Sequence, residues 1–226
     1  MQRFNVIITG STGMVGKSVL LECIEHPSIE KILLINRSSL NFNHPKVNEI
    51  LLSNFSKMHT IQEEFKGFDA CFHCMGISSI GKSEEEFTKI TFDLTKILAD
   101  TLYKINKDMA FNYVSGTLTD SSEKGKTMWA RVKGKTENYI LNKGFKDAYM
   151  FRPGGIIPEK GIRSSTGWYN VIYVLLKPFF PWMKKNKNMT TTTKFGQAMI
   201  NSLIFPAELK HLENEDINLL SNPPKD

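Results

Sequence analysis

The stretch FNVIITGSTGMVGKSVLLECIEH, residues 4–26, decides the fold of this protein. The run from Phe4 to Thr9 is apolar and rich in β-branched residues, so it predicts a buried strand. Residues 14–26 follow with the spacing of an amphipathic helix, whose apolar positions are Val15, Val19, Leu20 and Ile24. The segment therefore predicts a strand, a glycine-containing turn and a helix.

The alternation of strand and helix continues along the chain. Apolar runs predict further strands at 31–35, 47–52, 68–74, 110–115 and 148–152, and helical spacing predicts helices at 83–106 and 127–142. Strands that alternate with helices form parallel sheets covered on both faces. The sequence therefore predicts an α/β protein with a Rossmann-like, doubly wound parallel sheet.

The pattern changes after Pro158. Residues 168–183 are rich in aromatic residues and leucine and predict a helix with an irregular continuation. Residues 194–205 predict a helix capped from among Thr190 to Thr193, and residues 216–220 predict a small closing strand. We expect a single domain, 1–226, with a Rossmann-like core at 1–157 and a small C-terminal helical cap at 158–226.

The composition argues against several classes of protein. The chain has 226 residues and a formal net charge of +6, but its basic residues are scattered among acidic ones. This scatter predicts a solvated surface and no nucleic-acid binding. Three cysteines, without a secretory leader, favour a reducing compartment and a cytoplasmic location. No apolar run approaches the ~18 residues of a membrane span, so we expect no integral membrane segment.

The turn TGSTGMVG, residues 9–16, has the spacing GxxGxxG between a predicted strand and a predicted helix. In such a turn the first glycine permits the tight bend, the second lets a pyrophosphate approach the backbone, and the third allows close packing of helix on strand. The start of the helix then offers unpaired N–H groups to the phosphates. The turn predicts a dinucleotide site formed by Gly10, Ser11, Thr12, Gly13, Met14, Val15 and Gly16.

The end of the second predicted strand reads Asn36-Arg37-Ser38-Ser39. A site for NAD usually has an acidic side chain here, which binds the ribose 2′-hydroxyl. Arg37 would instead bind the 2′-phosphate of NADP through charge-assisted hydrogen bonds. We therefore expect Arg37 and Ser38 to favour NADP over NAD, the alternative being an arginine that is simply exposed at a strand end.

Short motifs follow one another along the chain, namely TGSTGMVG at 9–16, NRSS at 36–39, CMGIS at 74–78, YVSG at 113–116, WARVKGKTE at 129–137 and FRPGGIIP at 151–158. In order and spacing they resemble the atypical, epimerase-like members of the short-chain dehydrogenase/reductase superfamily. The resemblance implies that Cys74, Met75 and Gly76 form a turn over the adenine ribose. It also implies that Asn54 lies near the adenine and that Pro153 borders the nicotinamide.

The resemblance further implies catalysis by a serine, a tyrosine and a lysine that lowers the tyrosine pKa. Ser115 and Lys133 match the serine and the lysine, and Lys133 would also hydrogen-bond the nicotinamide ribose. The tyrosine position is Trp129, whose indole N–H has no usable acidity near neutral pH. Because loss of a positioned acid typically costs about 10²–10⁴ in rate, tyrosine-dependent chemistry is in doubt. Thr117, Ser115 or a water molecule could replace the tyrosine.

Two functions of different kinds follow from these motifs. The first is an NADP-dependent oxidoreductase of the atypical short-chain class that acts on an unidentified small molecule. The second is a non-catalytic NADP-binding protein with a regulatory or redox-sensing role. An epimerase-like enzyme that retains its cofactor is a third, weaker hypothesis, because it too would normally use the tyrosine. Trp129 would be either a packing residue or a wall that stacks on nicotinamide or substrate.

Two other features carry less weight. Residues 168–183 would form a lid or pair subunits in a homodimer, with peripheral contact to an anionic membrane as the alternative. Cys71 and Cys74 could suggest a metal or redox pair, but side chains three apart on a strand face opposite sides. We therefore expect no metal site.

Overall fold

The computed structural model describes residues 2–162, 178, 180–184 and 186–223. The strands are β1 Phe4–Thr9, β2 Ile29–Asn36, β3 Val47–Leu51, β4 Ala70–His73, β5 Ala110–Val114, β6 Asp147–Arg152, β7 Gly155–Ile157, β8 Met189–Thr191 and β9 His211–Glu213. The α-helices are α1 Met14–Glu25, α2 Glu84–Thr88, α3 Leu94–Ile105, α4 Met128–Leu141, α5 Phe180–Met183, α6 Thr192–Ile204 and α7 Asn214–Leu220. A 3₁₀ segment spans Phe55–Phe65, and a π-helical turn, Lys89–Asp93, joins α2 to α3.

Within these residues, the main sheet has seven strands in the order β3-β2-β1-β4-β5-β6-β9. Neighbouring strands run parallel throughout. The order reverses between β1 and β4, which is the place where ligands bind in open α/β sheets, beyond the carboxyl ends of the strands. The predicted Rossmann-like parallel sheet is therefore confirmed.

Both faces of the sheet are buried because successive side chains of its central strands are apolar. In β1, Val6 and Ile8 pack on one face against α1 and α6, while Ile7 packs on the other against the 3₁₀ segment, α3 and α4. Such near-continuous apolar runs are expected for parallel strands covered on both sides. The three layers place the carboxyl ends of the strands, and the turns that follow them, at one edge of the molecule.

The C-terminal part departs from the prediction in one respect. Residues 216–220, which we expected to form a strand, lie in α7, and the closing strand is β9. A capping box explains the difference: the Glu213 side chain accepts from the third residue of α7, and the Asp216 side chain accepts from the Glu213 backbone N–H. This reciprocal pair satisfies two backbone donors and starts a helix.

The other predicted elements agree with the structure to within a few residues. The predicted helix at 83–106 begins with a Ser83 and Glu86 capping box and continues through the π turn into α3. The helix expected at 194–205 begins slightly earlier, with Thr191 as its cap. The segment predicted at 168–183 lies outside the described residues except for Pro178 and α5. No described helix combines the length and apolar character needed to cross a membrane.

Candidate functional site

A cavity of about 220 Å³ lies at the carboxyl ends of β1, β2 and β4. Four segments of the chain meet there: the glycine turn, the end of β2, the start of the 3₁₀ segment and the turn after β4. The lining residues are Gly10, Thr12, Gly13, Ile35, Asn36, Arg37, Phe55, Cys74, Met75 and Gly76. We call this space the glycine-turn cavity.

The three glycines of the turn have different structural roles. Gly10 has a left-handed backbone, with φ of +73°, and a Cβ there would lie 2.7 Å from the Cys74 carbonyl carbon. A Cβ on Gly16 would lie 2.2 Å from the Gly10 oxygen. At Gly13 the nearest atom would be 3.4 Å away, which is an ordinary contact. The protein's own packing therefore requires Gly10 and Gly16 but not Gly13, which lines the cavity.

Helix α1 begins at the wall of this cavity. Gly13 is its N-cap, and neither a capping side chain nor an acidic residue is present in its first turn. The first bond of the helix runs from the Lys17 N–H to the Gly13 oxygen at 2.9 Å, so the N–H groups of Met14, Val15 and Gly16 lack intrahelical partners. A helix start of this kind favours an anion through its dipole and its free donors.

A hydrogen-bond chain connects the glycine turn to the end of β2. The buried Ser11 hydroxyl donates to Asn36 Oδ1 at 2.9 Å, and Asn36 Nδ2 donates to Glu49 Oε1 at 2.7 Å. Glu49 also accepts from the Ser39 hydroxyl at 2.7 Å and the Leu40 N–H at 3.0 Å. Although partial desolvation raises the pKa of Glu49, these hydrogen bonds hold it below its ordinary value. These hydrogen bonds fix the loop that carries Arg37.

Arg37 is exposed and lines the cavity, and the next residue, Ser38, is also exposed but is not among the lining residues. Among the residues that the structure describes, no hydrogen bond or ion pair engages the Arg37 guanidinium. Glu49, on the neighbouring strand β3, accepts instead from Asn36, Ser39 and Leu40. The guanidinium is therefore available to a ligand in the cavity.

Asn54 lies beside the cavity but is exposed, and its side chain caps the 3₁₀ segment by accepting from the Ser56 N–H at 3.0 Å. Its contact with an adenine stays a prediction. The neighbouring residue Phe55, which is 4% exposed, lines the cavity. Three lining residues, Ile35, Asn36 and Phe55, were not predicted from the sequence. Asn36 could have been found from its place in the NRSS motif, whereas nothing in the sequence singles out Phe55.

A second group of candidates lies at the ends of β5 and β6. The Ser115 hydroxyl donates to Glu137 Oε1 at 2.5 Å, and its oxygen lies 3.3 Å from the Phe151 oxygen. Glu137 is fully buried and also accepts from Arg152 Nε at 3.0 Å and from a second guanidinium nitrogen. His211 Nε2 lies 3.5 Å from Glu137 Oε2. The Ser115 hydroxyl is thus directed into this buried ion pair, and its catalytic role stays a prediction.

Lys133 lies on α4 one turn before Glu137. Its Nζ donates to the Ser115 backbone oxygen. Burial lowers the pKa of Lys133 to about 8, while the charge of Glu137 opposes that shift. A Cβ on Gly116 would lie 3.7 Å from Nζ and 3.9 Å from the Pro153 oxygen. The absence of a side chain at Gly116 leaves the space between Lys133 and Pro153 open.

Trp129 lies one turn before Lys133 on α4 and is half-buried. Thr117 is exposed, and its N–H donates to the Pro153 oxygen at 3.0 Å. Beyond it is a cleft of about 490 Å³, lined by Thr117, Leu118, Gly154, Gly155, Lys187, Asn188, Glu213, Asn214 and Glu215. Thr117, which lines this C-terminal cleft, follows two residues after Ser115, whose backbone oxygen binds Lys133 Nζ. The cleft has room for a small molecule.

The three cysteines, Cys23, Cys71 and Cys74, are free thiols. Cys71 and Cys74 pack into core clusters on opposite faces of the sheet, as strand alternation predicts. The described ranges hold no group of three or more His, Cys, Asp or Glu residues that could bind a metal ion.

The sequence of residues 6–143 matches the profile of the NAD dependent epimerase/dehydratase family. The chain belongs to this family. A relative, Protein HTATIP2 of Rattus norvegicus, is 26% identical over 224 residues, which are 96% of this chain and 89% of the rat protein. Protein FMP52-2, mitochondrial, of Scheffersomyces stipitis is 28% identical over 156 residues, which are 68% of this chain and 66% of the yeast protein.

Solved structures of similar fold include cofactor complexes. Gre2 from Candida albicans in complex with NADPH has a TM-score of 0.70 and 13% identity, and the match covers 92% of this chain and 77% of Gre2. The Bordetella bronchiseptica enzyme WbmH in complex with NAD+ has a TM-score of 0.64 and 14% identity, covering 89% of this chain and 72% of WbmH. At these identities the likeness shows the fold of this family member.

Proposed function

We propose that this chain binds NADP in the glycine-turn cavity and transfers hydride between NADP and an unidentified small molecule. One observation carries the proposal: the glycine turn, the uncapped start of α1 and the unpaired Arg37 meet in one cavity at the switch point of the sheet. Membership of the family supports binding of a nicotinamide dinucleotide. The solved structures of similar fold described above contain NADPH or NAD+.

The residues present fit such a cofactor. The N–H groups at the start of α1 would bind the pyrophosphate, since Gly13 leaves the backbone accessible. Arg37 and Ser38 would bind the 2′-phosphate, and the turn at 74–76 would border the adenine ribose. Lys133 would hold the nicotinamide ribose, and Pro153 would border the nicotinamide beside the C-terminal cleft. The bound cofactor would supply or accept the hydride, and this chain would position the small molecule next to it.

The preference for NADP depends on Arg37, and replacing this residue tests it. Arg37→Ala should weaken NADPH binding by about 10–100-fold, because a hydrogen bond to a charged group contributes roughly 1.5–3 kcal/mol. NADH binding should change little, since NADH has no 2′-phosphate. Titrations of cofactor fluorescence would give both dissociation constants.

Arg3→Ala provides the matched control, because Arg3 is exposed just before β1, at the opposite edge of the sheet. It removes the same charge and should leave both dissociation constants unchanged. If Arg37→Ala weakened the binding of NADPH and of NADH equally, or left both dissociation constants unchanged, the assignment of the 2′-phosphate to Arg37 would be wrong.

A second candidate function is a non-catalytic NADP-binding protein with a regulatory or redox-sensing role. The observation that favours it is Trp129, which occupies the position of the expected tyrosine. This function predicts tight NADPH binding without oxidation of NADPH in the presence of any carbonyl compound. An assay that follows NADPH absorbance with aldehydes and ketones separates the two functions.

We also propose a cytoplasmic location, a small-molecule partner in the C-terminal cleft and a homodimeric assembly. The free cysteines are what a reducing compartment would allow. Gel filtration with light scattering would test the assembly.

A further inference from the structure

A carbonyl compound that receives a hydride also needs a proton on its oxygen, and the structure limits which groups could supply it. Trp129 offers only an indole N–H, which is not acidic enough. The Ser115 hydroxyl is directed to Glu137 and Phe151 within the interior. Tyr113 is fully buried, and burial raises the pKa of its hydroxyl well above the ordinary value. Tyr139, ten residues after Trp129, donates to Asp100.

Lys133 is the group near the end of β5 that has both spare donors and an acidic proton, because the exposed Thr117 hydroxyl has no usable acidity near neutral pH. Its Nζ carries three N–H bonds when protonated, and Ser115 provides its one hydrogen-bond acceptor among the described residues. The open space beside Gly116 lies between Nζ and the Pro153 oxygen. Thr117, the residue after Gly116, lines the C-terminal cleft. A substrate oxygen in that space would meet the Lys133 ammonium directly.

We propose that Lys133 Nζ is the proton donor to the substrate oxygen in this chain. The inference rests on the proposed hydride-transfer function and assigns the role of the missing tyrosine. In the resemblance to short-chain dehydrogenases, the lysine acts through the tyrosine; here it would act on the substrate itself.

The charges around Lys133 suit this role. Burial lowers its pKa to about 8, and Glu137, the acidic residue closest to it on α4, opposes that shift. Glu137 is itself paired with Arg152 and approached by His211, so its negative charge is largely balanced. An ammonium group with this pKa is mostly protonated at pH 7 and gives up its proton more readily than an ordinary lysine or tyrosine, whose pKa values are about 10.

The proposed step balances in the direction of reduction. With the hydride that NADPH would supply, a C–H bond of the cofactor would break, leaving NADP+, and a C–H bond would form at the carbonyl carbon, while the π electron pair of the C=O bond would move to the oxygen. The N–H bond of Lys133 breaks as the O–H bond of the alcohol forms. The neutral amine then takes a proton from solvent, so each turnover consumes one NADPH and one proton.

Variants at Lys133 test the proposal. Lys133→Met removes the proton donor, and Lys133→Arg keeps a positive hydrogen-bonding group whose pKa is above 12 and which therefore cannot donate its proton. Lys135→Met is the matched control, because Lys135 is an exposed lysine on the same helix. Oxidation of NADPH is followed with hexanal, benzaldehyde and cyclohexanone as a function of pH, and NADPH binding is measured by fluorescence.

Both Lys133 variants should lose at least 100-fold in kcat while the dissociation constant for NADPH changes by less than about tenfold. In the wild type, kcat/KM should fall as pH rises through the Lys133 pKa. NMR of the protein labelled at lysine ¹³Cε should show one signal that titrates near pH 8 and disappears in Lys133→Arg. Lys135→Met should behave as the wild type in every measurement.

Two results would overturn the proposal while leaving the function in place. One is turnover of either Lys133 variant at the wild-type rate, and the other is a Lys133 signal that titrates at the ordinary lysine pKa. Failure of the wild type to bind NADPH, or binding without any oxidation, would instead contradict the proposed function and this inference with it.

Discussion

At the scale of single residues, His73 shows how the structure joins the glycine turn to the helix behind it. The Thr95 hydroxyl donates to the Thr91 oxygen at 2.6 Å, so it must accept the bond from His73 Nε2 at 2.9 Å. His73 Nδ1 is then left to accept from the Thr9 hydroxyl at 2.6 Å. Because burial lowers the pKa of His73 to about 3, the imidazole is neutral, and its one proton is on Nε2. Its bond to Thr9 holds the residue that leads into the turn.

This arrangement predicts a pH dependence of stability. Burial lowers the pKa of His73 to about 3, so below about pH 6.5 the unfolded chain binds a proton that the folded chain does not. The free energy of unfolding should therefore fall as pH decreases from about 6.5 towards 3. His73→Gln removes the titrating group and should flatten this fall between pH 6.5 and 5, measured by urea unfolding.

This prediction is tested by comparing how the free energy of unfolding changes with pH in the wild type and in His73→Gln. The wild-type curve alone would not isolate His73. Desolvation also lowers the pKa values of His26 and His211, and these residues contribute equally to both proteins. Identical slopes for wild type and His73→Gln over this window would show that His73 is not held neutral.

At the scale of elements, two helices each contact a neighbouring backbone segment at a glycine. The contact is so close that no side chain would fit at the glycine position. A Cβ on Gly16 would meet the Gly10 oxygen at 2.2 Å, and one on Gly134 in α4 would meet the Asp120 oxygen at 1.8 Å. The sequence predicts the first approach, because Gly16 completes a known turn. It could not predict the second, because Asp120 reaches α4 only through the irregular loop between β5 and α4.

Gly134→Ala should destabilise the protein by about 1–3 kcal/mol through this backbone clash, even though alanine favours a helix by about 1 kcal/mol. Gly13→Ala is the comparison, because its Cβ would make only an ordinary contact of 3.4 Å. Denaturant unfolding measures both free energies. A Gly134→Ala protein as stable as the wild type would show that Asp120 is not packed against α4 in this way.

Long buried strands can be predicted from the sequence, whereas short strands and capped helices are harder to predict. Strands β1, β2 and β4 to β6 were predictable because their burial on both faces demands apolar runs. Strands β7, β8 and β9 are too short to show any periodicity. The strand predicted at 216–220 is wrong because the capping box of Glu213 and Asp216 starts a helix there. This capping box outweighs a short apolar pattern.

At the scale of the whole molecule, the parallel sheet brings both groups of candidates to its carboxyl edge. The glycine-turn cavity lies at the ends of β1, β2 and β4, and the group of Ser115 and Lys133 lies at the ends of β5 and β6. The motifs predicted most members of both groups because they mark the ends of strands. They could not predict that Ser115 turns towards Glu137, since that contact depends on how α4 packs against β6.

The central claim is that the glycine-turn cavity binds NADP, and the most direct test is the thermal stability of wild type and Gly13→Ala with and without NADPH. Gly13→Ala places a methyl group where the pyrophosphate would lie, with little effect on the protein's own packing. A ligand at a hundred times its Kd stabilises a protein by about 2.7 kcal/mol, or roughly 5–10 °C in Tm at this size.

We predict that NADPH raises the Tm of the wild type by this amount and leaves the Tm of Gly13→Ala unchanged, while the two proteins without NADPH melt within a few degrees of each other. A wild type that NADPH does not stabilise, or a folded Gly13→Ala variant that NADPH stabilises equally, would contradict the account.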